Sequence, residues 1–240
     1  MNIAHALSAV ALTGCLAVST PFTPRDVTQG ALLPMPQNEI WIEVSEEKEP
    51  SLWEMVSVVG AASGVHIVAT GEDRTELENT ATGLDRSFML PAEDAWTITQ
   101  QILAQSLFTV ARLNDGDATT VSILGRRRVE SIAAAYTAIE VEEFDEAARN
   151  PGLLVEVLLE LPNTDVRVLC NQARVLSYDR STFSAVALTS SSLLVRGTGG
   201  IVSQACRNFL AADAANLAAN EAREVAFEAS GSDETASSDA

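Results

Sequence analysis

Imidazole, thiol and positive charge are what this sequence has least of. Its 240 residues include two histidines and three cysteines, and 15 basic side chains stand against 33 acidic ones, for a formal charge of -18. A surface so acidic repels phosphate backbones and anionic headgroups, so nucleic acid is excluded as a partner. Hydrolytic triads and the common zinc sites draw on imidazole or thiolate. With His5 and Cys15 in the leading segment, only His66, Cys170 and Cys206 remain. His66 falls inside a predicted strand and reads as a structural or surface residue. No catalytic residue, cofactor-binding residue or metal ligand is assigned. Carboxylates are plentiful, but runs such as Glu46-Glu47 and Glu142-Glu143 read as solvated faces. Lysine occurs once, at Lys48, beside fourteen arginines; this is read as a coding bias without functional meaning.

A long hydrophobic run is also missing. Residues 3–19, IAHALSAVALTGCLAVS, are uncharged and apolar but too short and too rich in small side chains for a membrane span; they suit a signal-peptide core. Residues 1–20 are therefore expected to be a signal peptide. Within them Leu12-Thr13-Gly14-Cys15 matches the lipobox of bacterial lipoproteins, which implies cleavage before Cys15 and a lipid on its sulfur. The other reading is an ordinary signal cut a few residues later, with Cys15 discarded. Both lead out of the cytoplasm, to a periplasmic protein that is anchored to the outer membrane if Cys15 is modified.

Residues 21–38 hold Pro21, Pro24, Pro34 and Pro36 and are expected to be an extended tether, with no core before Glu39. Ile40, Ile42 and Val44 alternate as a strand. Pro50 then opens a helix with Leu52, Met55, Val56 and Val59 on one face, and Gly64 closes it as a left-handed cap. A strand over 65–69, a polar loop over 71–83, a strand over 84–90 and a helix from Pro91 carrying Trp96, Leu103 and Leu107 follow. Phe108 to Leu124 reads as a hairpin about Asp115-Gly116, with Val110 opposite Val121 and Phe108 opposite Ile123. Arg126-Arg127-Arg128 reads as a solvated linker, extending over 126–135.

A second unit opens with a strand near Tyr136 to Val141. Asn150-Pro151 reads as a cap and first turn for a helix with Leu154, Val157, Leu158 and Leu161 on one face. Val166 to Cys170 and Ala173 to Ser177 read as paired strands about Asn171-Gln172. Phe183 to Leu210 is the best-defined stretch. It has two apolar strands in which Val186 and Leu188 alternate with small residues and Leu193 to Val195 form a compact run. Gly197, Gly199 and Gly200 then break the chain before a helix with Val202, Ala205, Cys206, Phe209 and Leu210 on one stripe. Beyond it, 228–240 is expected to be a disordered acidic tail. The fold class is α+β, as two small domains over 39–125 and 136–227, each a mixed sheet packed against two helices. Cys170 and Cys206 fall on apolar faces of this second unit, so a disulfide and two buried thiols are both open.

The order strand, helix, strand, strand, helix, hairpin in the first unit resembles the first periplasmic N-terminal domain of secretins, also found in TonB-dependent receptors. IWIEVSEEKEPSLWEMVSVVGAASGVHIVA and PAEDAWTITQQILAQSLFTVARL carry the likeness. AVALTSSSLLVRGTGGIVSQACRNFLAAD is similar to the next, KH-like secretin domain, with Ser191 or Ser192 where the family usually has Asn. Val195 to Ile201 invites comparison with the phosphate-clamping GxxG loop of KH modules, but the charge opposes that use and the turn is read as geometric. A secretin's barrel strands do not follow. The resemblance implies a non-catalytic envelope interaction module, an accessory or assembly component of a secretion or pilus-like system. Its partners would be envelope proteins, a secretin or copies of itself in a ring. A tethering structural lipoprotein and an enzyme with an unrecognised site are the alternatives.

Overall fold

The computed structural model describes residues 31–45, 49–114, 118–127, 136–176 and 182–234. In the first unit β1 (Ile40–Ile42) pairs antiparallel with β3 (Phe88–Leu90) as a two-stranded sheet. β2 (His66–Ala69), β5 (Thr120–Gly125) and β4 (Phe108–Arg112) form a three-stranded mixed sheet in that order. Helices α1 (Leu52–Ser63), α2 (Gly71–Asn79) and α3 (Ala95–Gln105) complete it. The second unit is a four-stranded mixed sheet, in the order β6 (Thr137–Ala138), β7 (Leu154–Glu160), β9 (Ser192–Thr198) and β8 (Phe183–Ala187). With it go α4 (Phe144–Arg149), α5 (Val166–Leu176) and α6 (Gly199–Glu234). The class is α+β, with three α-helices among the described residues of each unit where two were expected.

The opening of the first unit follows its sequence closely. Ser51 and Glu54 form a reciprocal capping box at the start of α1, and Gly64 ends the helix at φ 67. Leu52, Met55, Val56 and Val59 are buried, each worth about 1.5–3 kcal/mol of transfer free energy. The core begins earlier than Glu39, however, because Leu32, Leu33 and Pro36 are buried. Prolines keep this segment extended, so its carbonyls need outside donors. Trp96 Nε1 donates to Pro34 O at 2.9 Å and Arg112 Nη1 to Leu32 O at 3.0 Å.

The expected polar loop over 71–83 is largely helix. Thr70 accepts from Asp73 N as the N-cap, two acids sit in the first turn, and Arg74 pairs with Glu78 one turn on. One apolar residue, Leu77, is fully buried, so the helix carries no stripe to read. Leu107 leaves the apolar face assigned to it: α3 ends at Gln105, and Leu107 is exposed at φ 62.

The hairpin register differs by two. Val110 lies opposite Ile123 and Arg112 opposite Val121, with the Asp115-Gly116 turn outside the described residues. Asn114 spreads the loop, its side chain donating to Ala118 O and accepting from Thr120 N. A shift of two preserves every side chain's face.

Three further assignments in the second unit change. Residues 154–160 are strand, not helix: Val155, Val157 and Leu159 are buried while Glu156 and Glu160 face outward, so the true period is two. Asn150 closes the preceding α4 instead of opening a helix, its Nδ2 donating to Glu146 O at 3.0 Å. Residues 166–176 are one helix instead of two strands. Its buried Val166, Leu169, Cys170 and Ala173 fall at i, i+3, i+4 and i+7, and Asp165 accepts from Arg167 N at its start. Strands β8 and β9 stand as expected, but Phe183 and Ala185 point inward while Val186 and Leu188 are exposed. Finally, α6 runs to Glu234, so the tail expected to be disordered from 228 is helical that far. Its alanines favour helix without needing anything to bury.

Candidate interaction surface

Among the described residues no group of three His, Cys, Asp or Glu side chains could hold a metal, and no helix is long and apolar enough to cross a membrane. His66 is exposed on β2, its backbone N–H held by Thr119 O. Cys170 on α5 and Cys206 on α6 belong to the same buried core and are not joined to each other by a disulfide, and burial pushes the Cys206 thiol up to about 12. Cys15, Glu46-Glu47 and Arg128 lie outside the described residues. Glu143 is structural, accepting from Glu140 N, and Arg126 is half-buried, with its N–H on Leu107 O.

The glycine turn before α6 packs against backbone instead of cradling an anion. A Cβ at Gly199 would stand 2.5 Å from Ala147 O and 2.6 Å from Asn150 O, and one at Gly197, with φ 155, would stand 2.2 Å from Thr182 O. Small residues here let α6 start directly against the end of α4.

That contact is part of a larger junction between the units. The segment 150–153 is held on three sides. Gln100 of α3 donates to Asn150 Oδ1 at 3.0 Å and accepts from Gly152 N at 2.8 Å. Gly152 O receives Val110 N at 2.9 Å and Thr109 Oγ1 at 2.6 Å. Gly199 N donates to Leu153 O at 2.7 Å. Side chains add to this: Ala111 and Leu124, on the β4–β5 face opposite Val110, bury Leu154 of β7. One end of the second sheet's outer face is thereby covered by the first unit's hairpin.

The rest of that outer face is open. Next to Leu154 comes Glu156, paired with Arg196 at 2.8 Å, whose guanidinium lies over the Tyr136 ring. Beyond this polar row, Leu158, Leu194 and Val186 stand side by side across β7, β9 and β8. Leu158 is 38 % exposed and Val186 45 %, and Leu188 at the end of β8 is 55 % exposed. Among the described residues β8 is an edge strand, paired on one side only. A smaller apolar pair, Trp41 at 56 % and Met89 at 48 %, faces outward across β1 and β3. Clustered apolar exposure on a sheet with a free edge is what strand-adding partners use. Reading 154–161 as a helix put Leu158 in the core; the alternation of Val155, Val157 and Leu159 with Glu156 and Glu160 was the signal for the open face.

No protein-family model and no curated protein matches this chain. Among solved structures, the Klebsiella pneumoniae type II secretion system outer membrane complex, of PulD, PulS and PulC HR domain, is similar over 69% of this chain at 17% identity and TM-score 0.52. This chain spans about a quarter of that one, 26% of its length. The GspC-GspD complex of enterotoxigenic Escherichia coli covers 73% of this chain and 98% of its own, at 13% identity and TM-score 0.27. XcpQN012 covers 73% and 65%, at 11% and 0.23. The fold is similar to that of type II secretin amino-terminal domains, as the sequence resemblance implied.

Proposed function

We propose that this chain is a non-catalytic interaction module of the cell envelope, an accessory or assembly component of a secretin-type secretion system. It docks a partner's β-strand on the open end of the β7–β9–β8 face. The observation that carries this reading is the row Leu158–Leu194–Val186, which continues a face whose other end is already covered by a hairpin of the same chain. A surface that accepts β-structure at Leu154 offers the same kind of apolar contact three strands wide, plus unpaired backbone along β8. The Klebsiella neighbour, solved as an assembly of secretion components, supports an envelope protein as the partner.

The same reading places the chain in the periplasm, delivered by residues 1–20 and, where Cys15 is lipidated, anchored to the outer membrane. The domains of this proposal are 31–125, which adds the buried Leu32 segment to the first unit, and 136–227.

A photo-crosslinking residue at position 186 in the anchored protein tests the docking site, with one at Glu76 on the exposed side of α2 as control. The expected product is an adduct with an envelope secretion component, made at 186 and not at 76, and abolished by Leu194→Glu with no change in melting temperature. Equal crosslinking at both positions overturns the site. Adducts between two copies of this chain would replace the heterologous partner with self-association.

A further inference from the structure

A second site lies at the junction of the two units, independent of the strand-docking face. A cavity of about 400 Å³ opens between the extended 33–35 segment, the start of α3 and the end of α4. Its floor is apolar, made by the buried Leu33 and Trp96, and Met35 stands at its mouth 60 % exposed. Methionine in that position is an adaptable apolar wall. The rim is charged on one side: Glu93, Asp94 and Glu146 line it against one guanidinium, Arg149. Arg149 faces Glu146 at 3.7 Å, and Glu146 also accepts from Asn150 Nδ2. Among the described residues Glu93 and Asp94 have no cationic partner; both are exposed at the first turn before α3. Their charge favours the helix start, but it is also directed at a cavity with an apolar floor.

We infer that this cavity receives an extended segment of a partner polypeptide in which a lysine or arginine stands next to a large apolar side chain. The apolar side chain would lie on Leu33 and Trp96 and the cation against Glu93 and Asp94. Volume and charge both favour this occupant. Pockets of roughly 300–1,000 Å³ hold a few side chains, and a rim with three carboxylates and one guanidinium rejects anions and attracts a cation. Two units build the cavity, so it exists because Gln100, Asn150 and Gly152 fix the junction.

The test uses the full chain labelled with ¹⁵N and follows its three tryptophan indoles. Trp96 Nε1–H, bonded to Pro34 O, reports on this cavity, and Trp41 reports on the β1–β3 face. The probe is acetyl-Leu-Lys-Leu-amide, with acetyl-Leu-Glu-Leu-amide as its anionic counterpart. A saturable shift of the Trp96 indole by the cationic peptide, with Trp41 and Trp53 unmoved, is expected. The anionic peptide and the Glu93→Gln/Asp94→Asn double variant should each bind more weakly, by about three- to tenfold, as loss of exposed charge pairs implies. Both substituted residues are exposed and their charge favours the helix start, so a cooperative melt lowered by no more than a few degrees confirms an intact fold. Equal response to the two peptides, an unaltered response in the double variant, or a shift confined to Trp41 overturns the site. A Trp96 response to vesicles of anionic or zwitterionic lipid in place of peptide overturns it in favour of a membrane contact. None of these outcomes depends on the β8 crosslink.

Discussion

Gln100 Nε2 donates to Asn150 Oδ1 at 3.0 Å, joining residues fifty apart, and Gln100 Oε1 takes the Gly152 N–H at 2.8 Å. One buried amide thus satisfies both a donor and an acceptor of the other unit. Removing it by Gln100→Ala strands both in a buried site, and each unpaired buried group costs about 1–3 kcal/mol. The expected loss is therefore about 2–4 kcal/mol in urea denaturation, with a single transition giving way to two as the units uncouple. A loss within 0.5 kcal/mol, of the size seen for surface changes, would mean that the junction does not depend on this amide.

Gly199 makes the complementary steric point. In Gly199→Ala the new methyl meets the carbonyls of Ala147 and Asn150 at 2.5 and 2.6 Å, and both are backbone atoms that cannot move aside alone. A loss of about 2 kcal/mol or more is expected, by analogy with overpacked cores. Gly71→Ala is the control: nothing lies within 4 Å of its Cβ position, and alanine suits the first residue of α2, so its effect should be neutral or a gain of about 0.4–1 kcal/mol. Thermal melts of the two variants, run side by side, would separate local crowding from general glycine sensitivity.

Much of the fold was legible wherever one periodicity had no rival. The α1 stripe from Leu52 to Val59, the cap at Gly64 and the turn into α6 follow from spacing and glycine alone. Reading failed where a few residues fitted two periods. Leu154, Val157, Leu158 and Leu161 match a helix face, but Val155 and Leu159 complete a strand, and only pairing with β9 along seven residues decides it. Val166, Val168 and Cys170 alternate, yet Leu169 and Ala173 close a helical stripe that the β8 side of the sheet needs as cover. The α2 helix was hidden because one leucine holds it down. The candidate surface was partly legible: edge-strand docking follows from the fold class, whereas which side chains stay uncovered depends on how the β4–β5 hairpin sits on Leu154, a contact that no local pattern contains.

The α2 helix offers a test of what holds such a weakly apolar element. Asp73 is buried, and its carboxylate accepts from Thr70 Oγ1 at 2.7 Å and from Gly125 N at 3.2 Å, linking the helix start to the end of β5. Asp73→Ala removes the acceptor and leaves the Gly125 N–H without that carboxylate, for an expected loss of about 1–3 kcal/mol. Hydrogen exchange should show the Gly125 amide and the first turn of α2 losing protection before the rest of the unit. Uniform loss across the unit would assign Asp73 to global stability and not to this local link.

Cys206 gives the molecule a predictable alkaline limit. Burial without a compensating charge pushes its thiol from 9.0 up to about 12, so the folded state holds a proton that the unfolded chain releases once pH passes about 9. Unfolding then becomes linked to proton release, and stability falls as pH rises. The contribution from this thiol is complete below about 9, declines between about 9 and about 12, and is gone above the folded value. Intact-mass analysis under non-reducing conditions comes first, because a bond to Cys170 would remove the titrating group; the structure does not join the two. Urea denaturation of the wild type and of Cys206→Ala at pH 8, 9, 10 and 10.5 then isolates the effect from other alkaline titrations, which the two proteins share. The wild type should lead by the packing of its buried sulfur at pH 8, and the lead should shrink with each step above pH 9. Native-state alkylation should also be slow across this range, since the reactive species is the thiolate and burial suppresses it. A lead that stays constant to pH 10.5, together with rapid alkylation of the folded protein at pH 8, would place Cys206 in an open, electropositive setting incompatible with its position on the buried face of α6.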